Sequence, residues 1–153
     1  FNSVEIIAVE DVRNWKYPID FIISDDIVLY SEWIVLDFSP KSLKFNPGES
    51  FKGKGEVYSP KITLFHPIDN LKSLQKLNEL IFYNLIVKLR DNNGRVKIIG
   101  NPISPLKLTY KTVLKGNYSG RPGFEITISG KTLDPASFFT GETIIYSGGG
   151  VGN

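Results

Sequence analysis

Residues 80–100, LIFYNLIVKLRDNNGRVKIIG, contain a strand, a turn and a returning strand. Apolar and polar side chains alternate on both sides of the turn, so Val87 and Leu89 share a face with Val96 and Ile98, while Lys88, Arg90 and Lys97 take the other. Asn92-Asn93-Gly94 supplies residues that tolerate φ > 0. A two-residue type I′ connection, whose twist matches that of paired strands, is the expected link.

Working outward, Leu71, Leu74, Leu77 and Ile81 recur at helical spacing through LKSLQKLNELI, with Asp69 or Asn70 as N-cap. This predicts one short helix over about residues 70–80, its leucine stripe packed onto a sheet. On the other side, Pro102 and Pro105 bracket a turn. LKLTYKTVL (106–114) then alternates, with Leu106, Leu108, Tyr110 and Leu114 inward against Lys107, Thr109 and Lys111 outward. A glycine-rich turn, KGNYSGRPG (115–123), leads to FEITIS (124–129), which places Phe124, Ile126 and Ile128 on one face and pairs with the strand before it. ASFFTGETIIYS (136–147) offers a last strand, and GGGVGN (148–153) is a flexible tail.

The N-terminal half is also β-rich. Residues 3–10 read as a strand with β-branched Val4, Ile6, Ile7 and Val9. RNWKYP (13–18) is a connector in which Pro18 pushes Tyr17 into an extended conformation, IDFII (19–23) is a short strand, and Ser24-Asp25-Asp26 is a turn. IVLYSEWIVLDF (27–38) is apolar on both faces. That pattern suits a central strand covered on both sides, or one whose outer face meets another subunit. SPKSLKFNPGESFKGKG (39–55) changes character and reads as a long exposed loop with weak strand pieces around residues 43–45 and lysines at 41, 44, 52, 54 and, just beyond, 61. It is either a solvated connection or an arm that orders against a neighbouring subunit, in which case deleting residues 41–54 leaves a folded domain and weakens assembly. EVYSPKITLF (56–65) resumes strand character, with Pro60 confining it to an edge or a bulge.

The expected fold is therefore mostly β: an antiparallel sandwich or barrel with one short flanking helix, in a single domain over residues 1–147. At 153 residues the chain can bury a core without staples. A net charge of +2, with its lysines and arginines scattered, lacks the steering field of a nucleic-acid binder, so no specific nucleic-acid recognition is expected. The absence of cysteine removes disulfides, thiolate metal sites and cysteine nucleophiles. No membrane segment is expected either, because the apolar run at residues 81–89 is broken by Asn84 and Lys88 and is far short of a bilayer span. The opening FNSVEIIAVEDV carries Glu5 and Glu10 and no basic region, unlike a signal peptide.

Catalytic patterns are sparse. With one histidine, His66, a hydrolytic triad would depend on that residue alone, and a metal site would need carboxylates. Asp25-Asp26 are adjacent and read as a turn; residues 91–94, DNNG, lack the spaced oxygens of a calcium loop. Gly53-Lys54-Gly55 and the glycines at 148–150 do not have phosphate-loop spacing. No cofactor, metal or catalytic residue is expected. Trp15, Tyr17, Tyr30, Trp33, Tyr58, Tyr83 and Tyr118 could line a sugar-binding face, although core or interface packing is the commoner fate of such residues.

From residue 58 to 141 the order of strand, leucine helix, LRDNNGRVKIIG, PLKLTY and GRPGFEITISGKTLDPASFFTG resembles small β-rich virion proteins of tailed bacteriophages and prophages, of the kind encoded near tail genes. The shared features are the turn at residues 91–94 with a basic residue after it, Gly100 before the proline turn, Gly123-Phe124-Glu125, Gly130 and Pro135-Ala136. The resemblance implies a tail-tube-like β-sandwich or barrel. It further implies a non-enzymatic structural protein, assembled in the host bacterial cytoplasm into a ring or tube of the tail or neck of the virion. Its partners would be copies of itself and neighbouring virion proteins. The contacts are then expected at Trp33, Val35, Lys41, Lys44, Phe45, Phe51, Lys52 and Lys54, in the doubly apolar strand and the long loop. The rival reading is a carbohydrate-binding sandwich, free or at a tail tip, built on an exposed cluster of Trp15, Trp33 and Tyr118. An enzyme would instead need a pocket in which His66 meets a carboxylate.

Overall fold

A computed structural model describes residues 1–39, 41–48, 57–67, 70–113 and 122–146. The chain is mostly β. In order, its elements are β1 (Ser3–Ala8), a single 3-10 turn (Val9–Asp11), β2 (Val12–Asn14), β3 (Ile22–Ile23), β4 (Ile27–Leu29), β5 (Ile34–Leu36), β6 (Lys44–Asn46) and β7 (Lys61–His66). These are followed by helix α1 (Leu71–Leu80), β8 (Leu85–Arg90), β9 (Val96–Ile99), β10 (Lys107–Val113), β11 (Gly123–Ser129), β12 (Ser137–Phe139) and β13 (Thr143–Ile145). They form a six-stranded sheet ordered β3-β12-β9-β8-β1-β5, a four-stranded sheet ordered β10-β11-β7-β6, and a three-stranded sheet ordered β13-β4-β2.

The six-stranded sheet lies in the middle because both of its faces are apolar. On β8, Leu85, Val87 and Leu89 point into one core with Val4 and Ile6, and there they meet Ile62, Leu64, Phe124, Ile126 and Ile128 of the four-stranded sheet. Ile86, between them, points the other way and joins Ile7, Ile23, Ile27, Leu29 and Ile98 in a second core. Two faces of one strand thus serve two cores. Each fully buried aliphatic side chain is worth roughly 1.5–3 kcal/mol, so the smaller cluster is comparable with the net stability of an ordinary domain, about 5–15 kcal/mol.

Strands that change sheets enclose that second core. β1 continues through the 3-10 turn into β2, which pairs with β4; β4 pairs with β13; β12, which leads into β13, pairs with β9, and β9 and β8 lead back to β1. Chain continuity at these two corners folds the three-stranded sheet over the central one, around the second core. At the corner between β12 and β13, Gly141 lies so close to the Asp25 carbonyl that a Cβ would collide with it, and Asp26 Oδ1 accepts the Glu142 N–H at 2.9 Å.

The central hairpin is present, with a different turn and register. Asp91 N–H donates to the Arg95 carbonyl at 2.9 Å, and Asp91 Oδ1 accepts the N–H groups of Asn93 and Arg95 at 2.8 and 2.9 Å. Gly94 alone in the turn takes a positive φ, +81°. The loop is therefore three residues closed by an Asx turn, not a two-residue type I′ link. Val87 faces Ile99 and Lys88 faces Ile98. The extra residue slips the expected pairing by one and exchanges the faces of the returning strand. Desolvation pushes the Asp91 carboxyl up, but the N–H groups of Arg95 and Asn93 and the Arg95 guanidinium outweigh it and hold the group below its ordinary range.

Four other expectations are corrected. Residues 27–38 are not one central strand: β4 belongs to the small sheet and β5 is an edge of the large one, so Ile27 and Leu29 bury in one core while Leu36 buries in the other. That division is why the run is apolar on both faces. The last strand likewise splits into β12 and β13 at Gly141. Pro60 immediately precedes β7, which lies inside its sheet, so the missing N–H falls outside the ladder.

The exposed loop expected at residues 39–55 is partly structural. Ser39 and Ser42 are buried, Ser42 Oγ accepts the Phe65 N–H at 3.2 Å, and β6 pairs with β7. Deleting residues 41–54 would remove an edge strand of the sandwich together with any arm. Residues 49–55, and the tail at 148–153, lie outside the described residues.

The helix matches its expected span. Asn70 Oδ1 caps it by accepting the Ser73 N–H at 2.8 Å, and Leu77 and Leu80 are buried while Leu71 and Leu74 are exposed. Only the C-terminal half of the leucine stripe is used against the sheets.

Candidate assembly interface

β5 pairs with β1 on one side, and among the described residues no strand pairs with its other side. An open edge exposes backbone donors and acceptors to any extended segment that comes alongside. Two features mark this one. Val35, opposite Glu5 in the register, is 63% exposed. Beside it, a groove of about 650 Å³ separates the strand from α1, with Ile34, Leu77, Leu80 and Ile126 as apolar lining, Lys72 and Lys76 as cationic groups of the helix, and Asp37 and Glu79 as carboxylates. A second groove, of about 410 Å³, shares Val35, Leu36 and Asp37 and runs along Phe1, Phe38 and Lys41. The arrangement suits strand addition: main-chain hydrogen bonds to β5, apolar side chains into the grooves, and a carboxylate toward the lysines.

His66 closes one end of the larger groove. Its Nδ1 lies 2.8 Å from the Asp37 backbone oxygen and therefore donates there, leaving Nε2 to accept from Ser73 Oγ at 3.4 Å. The ring stacks on Phe124 at 6.4 Å between centres. In this position His66 ties β7 to the end of β5 and to α1, and neither of those two partners is a carboxylate. Among the described residues no group of three or more His, Asp or Glu side chains is placed to hold a metal.

The residues expected at an interface are dispersed. Val35 and Lys41 line the grooves at β5, whereas Lys44 is exposed on the edge strand β6. Phe45 packs against the first core and meets Phe1 edge to face at 5.9 Å. Phe51, Lys52 and Lys54 lie outside the described residues. Trp33 is occupied inside the molecule: it packs on the second core, its Nε1 donates to Thr143 Oγ1 at 3.3 Å, and Lys88 Nζ sits 4.7 Å from its ring centre.

Lys88, on the face of β8 opposite Val87 and Leu89, is largely buried, 3.4 Å from Glu5. Burial lowers its pKa from the ordinary lysine value, with the Glu5 carboxylate working against the shift and Arg90 adding to it. Between the lowered folded pKa and the ordinary value near 10.4, the unfolded chain holds more protons, so this group makes stability rise with pH. Glu5→Ala strands the ammonium. Because both side chains retain some solvent contact, 11% and 18%, the expected cost is about 1–3 kcal/mol at neutral pH, below the 3–5 of a fully buried pair. Urea unfolding checks it. The loss should shrink as pH rises and Lys88 discharges, and an equal loss at neutral and at strongly alkaline pH would contradict the pairing.

The aromatic face that a sugar would need is not assembled by Trp15 and Trp33. Both are half-buried against the second core, and Tyr118 lies outside the described residues. The exposed pair Tyr30 and Tyr146 meets edge to face at 5.8 Å, and the Arg13 guanidinium covers the Tyr146 ring at 3.6 Å. That platform is already stacked.

One surface was not legible in the sequence. Residues 19–22 form a tight hairpin instead of a strand, with Ile19 N–H donating to the Ile22 carbonyl at 2.9 Å and Ile22 N–H to that of Ile19 at 3.1 Å. Asp20 and Phe21 both take positive φ, +51° and +66°. This is the type I′ geometry, built without glycine. Left-handed backbone costs a residue of this kind about 1–3 kcal/mol. The turn nevertheless presents Ile19 at 78% and Phe21 at 59% exposure, flanked by exposed Tyr17 and Ile22. Neither a family model, nor a curated protein, nor a solved structure matches the chain.

Proposed function

We propose that this chain is a non-enzymatic structural protein of a bacteriophage particle, a subunit of the tail or neck that joins copies of itself and neighbouring virion proteins through its sheet edges. It assembles in the cytoplasm of the bacterial host and ends in the virion, as part of a ring or tube, with no cofactor. The single observation that carries this reading is the open edge of β5 with the exposed Val35 beside an apolar groove. Among the described residues the central sheet ends there without a further strand, next to apolar surface of the kind that marks association sites. The resemblance of residues 58–141 to virion proteins gives the setting.

Val35→Lys tests the edge. A charge at an exposed edge position blocks strand addition, and because the side chain is exposed the fold should keep its stability within about 0.5 kcal/mol. Self-association, measured by sedimentation velocity, should weaken by about tenfold or more, equivalent to about 1.4 kcal/mol. Association unchanged in the variant would remove β5 from the interface.

A further inference from the structure

Resting on that reading, we propose that the β5–α1 groove receives the Ile19–Ile22 hairpin tip of a second copy, so that subunits join head to tail. Three observations lead there. The tip concentrates exposed Tyr17, Ile19, Phe21 and Ile22 in six residues, on a backbone held in left-handed conformations at Asp20 and Phe21. Scattered exposed apolar residues are ordinary, but a cluster held on a strained turn has the form of a knob awaiting a hole. The groove supplies an apolar lining at Leu77, Leu80 and Ile126; its charged groups are Lys72 and Lys76 together with Asp37 and Glu79, so the tip carboxylate, Asp20, finds its match at the two helix lysines and not in the net charge of the groove. The third observation is topological: the tip runs into β3, which forms one edge of the six-stranded sheet, while β5 forms the other.

Four strands separate the two edges, so the knob belongs to one side of the sheet and the hole to the opposite side. Each copy can give a tip and receive one at the same time. The contact is therefore heterologous, and repetition makes a ring where the rotation closes or a filament where it does not. A two-fold dimer, which would pair like edge with like, is not the product.

Phe21→Gly separates this role from a structural one. Glycine relieves the left-handed backbone at position 21 and removes no buried side chain, so the melting temperature of the monomer should hold or rise. Association should weaken at least tenfold. Asp20→Lys should weaken it as well, and combining that change with Lys72→Glu and Lys76→Glu should restore it. Sedimentation velocity on the four proteins reads both effects. Wild-type protein that assembles while Phe21→Gly and Asp20→Lys assemble equally well would overturn the tip-in-groove contact and leave self-assembly standing. Wild-type protein that stays monomeric at every concentration would overturn both.

Discussion

Phe124→Ala is expected to lower the free energy of unfolding by about 3–5 kcal/mol, the range for deleting a buried aromatic ring. The ring is 1% exposed and sits in the first core, where β11 pairs with β7. Tyr110 meets it edge to face at 5.8 Å and His66 stacks on it at 6.4 Å. Removing it leaves a cavity that neither neighbour can fill without leaving its own hydrogen bond, Tyr110 to Asn78 and His66 to Asp37. Because His66 closes the groove beside β5, the same change should loosen the proposed interface. Urea unfolding followed by the fluorescence of Trp15 and Trp33 measures the loss. A loss below about 1 kcal/mol, typical of an average substitution, would mean that the four-stranded sheet does not pack on the central one as described.

Ile86→Ala carries the second large effect, about 2–5 kcal/mol. Had β8 only one buried face, the residue between Leu85 and Val87 would point to solvent and its truncation would fall within about 0.5 kcal/mol. Ile86 is instead fully buried in the second core with Ile7, Ile27, Leu29 and Ile98. The same urea titration decides between these, and a near-neutral result would remove the second core. The variant also has a specific partner effect: the second core carries Trp33, so its fluorescence should red-shift in the folded state.

These two positions show what local pattern can and cannot specify. Phe124, Ile126 and Ile128 were legible because β11 has one apolar face and a simple period of two, and α1 was legible because Asn70 and the leucine spacing agree with each other. The hairpin register was not. Ile98 and Ile99 put an apolar side chain on each face, so either register buries one of them, and the deciding group is the Asp91 carboxylate, which adds a residue to the turn. Residues 27–38 misled for a related reason: two strands of three residues, assigned to different sheets by distant partners β1 and β13, look like one long doubly buried strand.

Of the residues expected at an interface, only some lie at the β5 edge. Val35 was expected there because the resemblance placed contacts in the doubly apolar run 27–38, and the edge leaves it exposed. Trp33 stood out for the same reason, yet it covers the second core and Lys88. The tip at residues 19–22 gave no warning, since Asp20-Phe21 lacks the glycine or asparagine that announces a type I′ turn. Backbone conformation, not composition, makes it a knob.

The most direct test of self-assembly through sheet edges is the mass of the purified protein across a concentration series, by light scattering coupled to size exclusion, with negative-stain imaging of whatever elutes large. A subunit of a tail or neck should gain mass with concentration and give rings or tubes of this one chain. One chain's mass at every concentration, with nothing larger on the grid, would contradict it.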